Sequence, residues 1–433
     1  MRKRVLAIAA AVTMAVAGAA PPAGAQTTPD APAAADPAQQ IQVPPAHAAD
    51  RATKQQRDTC PAVRASLGKL AAAGQQSVTC ETVRETPSAA AKAAMKSARF
   101  AAAMQEVPQW CVDNAFTGWW FVRTGGCMIQ DRLLTVTNTS TGAVTGTMPY
   151  LMLTYSYTSI DLGAWAHQIE LYPYDITGSA AGTTVNGSAR CTGACFMTDT
   201  VFPPQLMRLR IDSEAEFFAD STVGAPGTVG FGRTSISYFW TNPQWASGAP
   251  VNISPPWDVR CDNNTSGKDS AGCVFPDYPP AVVVSRTGPY PSFARHLADA
   301  QASGLPGAYP NGVPLTRMVN AADSDRNGNT ACPQASSGGY PRPAGHSCDE
   351  YPFRSTYQGA YTATRPAPPA PGRTFDWCQI TALGSGAGAI GWSACMIPVG
   401  ENSGGGALLN GFGGIYRTQR MLDGDDFYVW IVP

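Results

Sequence analysis

Two short stretches of this chain carry side chains that could do chemistry together. The first runs His346-Ser347-Cys348-Asp349-Glu350-Tyr351-Pro352-Phe353 and the second Glu401-Asn402-Ser403-Gly404-Gly405. Carboxylates and an amide gathered beside paired cysteines supply the oxygen donors that suit a hard divalent cation, and such an ion suits phosphodiester cleavage. A carboxylate of ordinary pKa, about 4, is a weak base at neutral pH, so hydrolysis requires that the water it serves be acidified by a bound ion. The same ion would depress the pKa of any acid that ligates it, so base and ligand are expected to be different residues. Between residues 282 and 433 the only histidines are His296 and His346, which excludes a three-histidine cage there and leaves His346 or a carboxylate as the base. Taken alone, an Asp-Glu pair is by default a surface turn.

Local rules predict how these side chains are presented. A proline pushes the residue before it toward extended backbone, so Tyr351 is expected in a strand. Asp349 and Tyr351 would then share one face while Glu350 points to the other. The second cluster reads as a helix start, with Asn402 or Ser403 as N-cap and glycines that admit close approach of a backbone or a phosphate. Leu408, Phe412, Ile415 and Tyr416 recur at helical spacing after it. Asp423-Gly424 predicts a turn, and Phe427 to Val432 a closing strand. Between residues 282 and 433 there are ten arginines, ten acids and no lysine. The planar guanidinium suits phosphate, which makes Arg354, Arg417 and Arg420 the phosphate-binding candidates; ordinary salt bridges are the alternative for the same residues. Asp323-x-Asp325-x-Asn327-Gly328 is similar to the first half of a calcium loop, but its twelfth position is Gln334 where a bidentate Glu is needed, so a polar turn is expected.

Cys348-Asp349-Glu350-Tyr351-Pro352-Phe353, Glu401-Asn402 with Gly406, and Arg420-x-x-Asp423-Gly424-Asp425-x-Phe427 together resemble the NucA/NucB family of secreted bacterial deoxyribonucleases over roughly residues 285 to 433. The resemblance implies a metal-dependent endonuclease related to the ββα-metal nucleases, with a carboxylate where many relatives use histidine. It implies Asp349 as general base, with His346 as competitor, and Glu350, Glu401 and Asn402 as ligands of one divalent cation (Mg²⁺, Mn²⁺ or Ca²⁺) or its supports. The implied substrate is DNA, with RNA as an alternative. The chain departs from the family at Gln358, where many members carry an acid. That departure favours a different class of function, a non-catalytic polysaccharide- or cell-wall-binding protein with a degenerate nuclease module.

The rest of the chain must position and deliver this module. Arg2, Lys3 and Arg4, an apolar run from Val5 to Ala20 and Ala23-Gly24-Ala25 predict an export signal over residues 1–25, and no later segment is apolar for long enough to span a bilayer. The 12 cysteines fall as close sequential pairs, read as disulfides Cys60–Cys80, Cys111–Cys127, Cys191–Cys195, Cys261–Cys273, Cys332–Cys348 and Cys378–Cys395 in an exported, extracellular protein. Cys332–Cys348 ends beside Asp349 and would hold it, with about 3 kcal/mol of chain-entropy stabilisation. Residues 26–58 are rich in Ala, Pro, Gln and Thr and predict a disordered linker. Residues 59–105 are Ala-rich and predict helices, including a helical hairpin closed by Cys60–Cys80 and a helix capped by Ser88. From 106 to 250 the period changes to two, as in Leu133–Thr137, Tyr150–Tyr157, Gln168–Tyr172, Leu206–Ile211 and Ser235–Trp240, predicting an antiparallel β-sandwich-like domain of seven or eight strands. Its tryptophans, Trp110, Trp119, Trp120, Trp165 and Trp240, read as core before they read as a sugar platform. Residues 251–284 read as a connector and 285–433 as the nuclease-like domain. The expected class is therefore α+β: a β-sandwich-like module, then a small disulfide-pinned ββα-metal-type module. The net charge of −1 gives no global field to attract nucleic acid.

Overall fold

A computed structural model describes residues 47–48, 58–97 and 104–433. The expected export signal, and all of the expected linker except 47–48 and Asp58, lie outside the described residues. The fold is mixed α+β, built mostly of antiparallel strands with few helices. Among the described residues no helix is long and apolar enough to cross a membrane.

The alternating segments do form strands, arranged in two sheets. The nine-stranded sheet runs from His47–Ala48 through Trp120–Val122, Gly125–Asn138, Val144–Thr158, Ala164–Pro173 and Ser213–Ser221 to Cys195–Met197; Ser77–Val83 and Thr177–Gly178 pair on its middle strands. The six-stranded sheet runs Val201–Leu206, Thr184–Gly193, Val229–Thr241, Val259–Asn263, Ala271–Val274, with Val251–Ile253 on the central strand. Both sheets bury one core: Met128, Leu134, Met152, Ile169 and Phe217 from the first meet Val185, Phe202, Ile236 and Val259 from the second. Period-two burial along Val229–Thr241 is the reason its sequence was readable. Trp119, Trp165 and Trp240 are core residues, as expected of large aromatics.

Three segments fold differently from what their sequence predicts. The predicted strand over 206–211 stops at Leu206, and Arg210 takes a positive φ of 60° in the turn that follows. Cys60–Cys80 closes a helix (Cys60–Ala72) onto the sheet strand Ser77–Val83, not a helical hairpin, because Val78, Thr79 and Cys80 find ladder partners in Gly125–Asn138. Residues 251–284 are no connector: three strands of the second sheet come from them, and Ala281–Ser285 pairs in parallel with Asp426–Val432. The helix Ala89–Ser97 does form, with Ser88 Oγ accepting from Ala91 N at 3.0 Å, and it packs Ala91 and Ala94 on Leu151 and Tyr172 of the large sheet. Inside the two-sheet core Glu81 accepts from Tyr150 Oη at 2.7 Å and from Trp240, and pairs with Arg132 at 2.8 Å.

The carboxyl-terminal part has its own core, drawn from Phe293, Leu297, Leu315, Tyr351, Phe353, Ile397, Leu409, Phe427 and Val429. Its chemistry-bearing segments sit on an antiparallel pair, His346–Tyr351 with Trp392–Pro398, followed directly by the helix Val399–Asn410. A second helix, Pro291–Ala302, crosses both. All six cysteine pairs are bonded in the expected sequential order.

Buried charges join this part to the sheets. Arg420 is fully buried; its guanidinium donates to both carboxylate oxygens of Asp262, at 3.0 and 2.7 Å, and to the carbonyls of Ile160 and Ser270. Asp425 receives Arg123 and Arg260, each at 2.6 Å, and Leu422 N at 3.0 Å. Burial alone would raise the Asp425 carboxyl, but the two arginines hold it below its ordinary value. Burial pushes Arg123 down to about 10 against the attraction of Asp425.

Candidate functional site

Asp349 lies near the end of the His346–Tyr351 strand, between two disulfides. Cys348 beside it is bonded to Cys332, and its register partner across the ladder, Cys395, is bonded to Cys378. The backbone is thus fixed from both sides. Asp349 is 4 % exposed, and its side chain faces the helix Pro291–Ala302, where Oδ2 lies 2.6 Å from Nδ1 of the fully buried His296. The other ring nitrogen lies 3.0 Å from Ser393 Oγ on the neighbouring strand. Asp349 Oδ1 takes no hydrogen bond among the described residues and is not among the enclosed unpaired atoms.

Glu401 and Asn402 occupy the first turn of the helix Val399–Asn410, which begins four or five residues before the predicted start. Neither is the N-cap; that position is Pro398. Glu401 Oε2 instead accepts from Ser292 N, capping the amino end of the helix Pro291–Ala302, where a carboxylate is favoured by the orphan amides. Asn402 Nδ2 donates to Ser347 Oγ at 2.9 Å and to Cys348 O at 3.0 Å. Ser347 and Asp349 share a strand face, so Asn402 and Asp349 lie on the same side of the ladder. Ser292 and His296 are one helical turn apart, which puts the anchors of Glu401 and Asp349 about 6 Å apart along that helix. Gly404 and Gly405 permit this approach: a Cβ on them would meet the rings of Tyr290 and Phe293 at 2.1 and 2.4 Å. The glycines make room for a helix, not for a phosphate.

A common pattern results. Asp349, Glu401 and Asn402 are each tethered through one polar atom and leave one oxygen, Oδ1, Oε1 and Oδ1 respectively, without a hydrogen bond among the described residues. Two carboxylates and an amide of this kind match the few protein ligands that a well-hydrated divalent cation accepts. Among the described residues, no cluster of three or more His, Cys, Asp or Glu side chains has the arrangement of a metal cage.

The other predicted residues are not part of this set. Glu350 points to the opposite strand face, as its alternation with Asp349 and Tyr351 predicts, so it does not join Glu401 and Asn402. Burial first, then the charge of Asp349, raise its carboxyl to about 7. His346 is on Glu350's side, and its Nδ1 lies 3.0 Å from Ala344 O. Arg354 is half exposed and pairs with Asp325 and, at 3.2 Å, Ser324. Arg417 stacks 4.5 Å above the ring of Phe412. Arg420 is the correction: with its guanidinium spent on Asp262 and two carbonyls, it cannot reach a substrate. The apolar stripe is also broken, since the helix ends at Asn410 and Phe412 is 85 % exposed beyond Gly411. Gln358 ties down Thr316 with both ends of its amide, at 2.9 and 3.2 Å. The calcium-like motif is neither loop nor turn but a helix, Ala321–Ala331, because Asn320 caps it at Asp323 N and Asp323 pairs with Arg326 and Arg365.

Sequence reasoning missed His296 and Ser393 as partners of Asp349; the scarcity of histidine was the one available signal. A cleft of about 350 Å³ lies elsewhere, lined by Phe231, Pro276, Asp277, Pro279, Gly424, Asp425 and Asp426, and includes none of the Asp349 set. No family model, curated protein or solved structure matches this chain.

Proposed function

We propose that the carboxyl-terminal part is a metal-dependent phosphodiesterase that cleaves DNA, with Asp349, Glu401 and Asn402 as its working residues. The observation that carries this is the triple of half-tethered side chains on one side of a strand–strand–helix unit, each with one oxygen left open. Glu401 Oε1 and Asn402 Oδ1 would hold a Mg²⁺, Mn²⁺ or Ca²⁺ ion. When bound, that ion supplies positive charge for the phosphate and lowers the pKa of water. Asp349 Oδ1 accepts the proton of the attacking water, a role its tether at Oδ2 leaves free. Arg354 and Arg417, both at the surface, contact flanking phosphates. The same residues agree with the family resemblance in the motif.

The test is plasmid cleavage by the full chain in excess Mg²⁺ or Mn²⁺, repeated with EDTA and with Asp349→Asn, with RNA digested in parallel. Cleavage of DNA should stop with EDTA, and Asp349→Asn should lose about 10²–10⁴-fold, the usual worth of a general base. Full activity in that variant, or wild-type activity indifferent to EDTA, removes the proposal. Faster cleavage of RNA would keep the chemistry and change the substrate.

A further inference from the structure

We propose that His296 is a positioning residue: it holds Asp349 by one carboxylate oxygen so that the other is presented to the attacking water. This rests on Asp349 being the base. The carboxylate gives the direction of the contact. An ionised carboxylate oxygen can only accept, so His296 Nδ1 carries a proton and donates it to Asp349 Oδ2 at 2.6 Å. On the other side of the ring, Nε2 lies 3.0 Å from Ser393 Oγ, which donates to Tyr351 O at 3.4 Å. Ser393, His296 and Asp349 are all buried, the first two fully, so water does not compete for these bonds.

Ser393 is not a nucleophile in this arrangement. Its hydroxyl is enclosed on an inner strand at 0 % exposure, and no substrate atom can reach it. The chain therefore runs outward, from a closed serine to a carboxylate with one open oxygen. A carboxylate without His296 would turn about its Cβ–Cγ bond and offer either oxygen. With it, only Oδ1 remains. The disulfides at Cys348 and Cys395 fix the backbone of the same residue, so backbone and side chain are restrained by separate devices.

Steady-state cleavage by the full chain at saturating Mg²⁺ tests this in three variants. His296→Leu fills the space but cannot donate, and should lower kcat about 10²-fold with KM within twofold, the effect expected when a reacting group is displaced by about 1 Å. His296→Asn can place its Nδ2–H near the position of Nδ1–H and should recover at least tenfold over the Leu variant. Ser393→Ala should lower kcat less than His296→Leu, by up to tenfold. Proton NMR of the metal-free wild type supplies a reading that needs neither activity nor a folded variant: a downfield, exchange-protected ring N–H resonance from His296. Unchanged kcat in a folded His296→Leu variant, loss confined to KM, an Asn variant no better than Leu, or absence of that resonance each overturns the assignment. If the wild type cleaves nothing, the nuclease proposal and His296's part in cleavage fall together, and the resonance still decides whether His296 holds Asp349.

Discussion

Asp425 and Asp349 are both nearly closed to solvent, at 8 and 4 % exposure, but their surroundings differ in kind. Asp425 is saturated: Arg123, Arg260 and the amide of Leu422 occupy both its oxygens, and the arginines hold the carboxyl below its ordinary value. Asp349 meets one donor, His296 Nδ1, and keeps an oxygen in hand. A buried charge that a protein uses for architecture is surrounded until nothing is left unpaired, since an orphaned charge is costly. A buried carboxylate with an open oxygen is incomplete without a further partner. Both residues sit in acidic motifs that look equivalent as text, and only the count of partners separates them.

The largest effect should come from breaking the saturated side. Arg420→Met removes both bonds to the Asp262 carboxylate and leaves it buried, which should cost about 3–5 kcal/mol in chemical denaturation. Asp349→Asn, by contrast, should leave stability close to that of the wild type while removing cleavage. A folded Arg420→Met protein of wild-type stability that had lost only DNA affinity would reverse the roles of the two regions.

The same contrast explains what the sequence could tell and what it could not. Period-two runs such as Ser235–Trp240 and the cap at Ser88 were legible because each depends on residues a few positions apart, and the disulfides because each joins a cysteine to its neighbour in the series, at most 20 positions on. Asp349 and Tyr351 on one face, with Glu350 on the other, followed from alternation alone. Arg420 was misassigned because its partner, Asp262, is 158 positions away, and a guanidinium suits a carboxylate as well as a phosphate. His296 was missed for the same reason: nothing near it in the chain announces a carboxylate 53 residues on. Glu401 looked like a ligand and is also a helix cap, and local pattern cannot show that its second oxygen is taken by Ser292.

A third buried group sharpens the rule from the opposite side. His167 is fully buried in the sheet core with Thr154 Oγ1 at 2.8 Å as the partner of Nε2 and none at Nδ1. Without a counter-charge, burial pushes it down to about 3 from an ordinary value of 6.5. Below pH 6.5 the unfolded chain takes up a proton that the native state refuses, so this contribution to stability is present above 6.5 and is lost as pH falls toward 3. The slope should approach 1.4 kcal/mol per pH unit, about the worth of one pKa unit. Glu350, raised to about 7, acts in the reverse direction over part of the same range. The informative quantity is therefore the stability of the wild type minus that of His167→Gln between pH 6.5 and 5. A difference that does not change with pH would mean that His167 is protonated in the native protein, and that burial without a partner is not what sets its charge.

The smallest effect concerns the arginines that remain at the surface. Arg354 is bound only to a half-exposed to exposed acid and a serine, and Arg417 only to an exposed ring, so either can exchange its present partner for a phosphate at little cost. Arg354→Ala and Arg417→Ala should each raise KM for DNA a few-fold, leave kcat unchanged and reduce the slope of log affinity against log salt by about one, the release expected per phosphate contact. Stability should move by well under the Arg420→Met loss, because no buried charge is stranded. If either alanine variant keeps the wild-type salt slope, that guanidinium does not meet the substrate, and the surface pairs with Asp325 and Phe412 are its whole function. If both keep it, the positive contacts to the phosphate backbone must come from other residues on the face that carries Asp349 and Asn402.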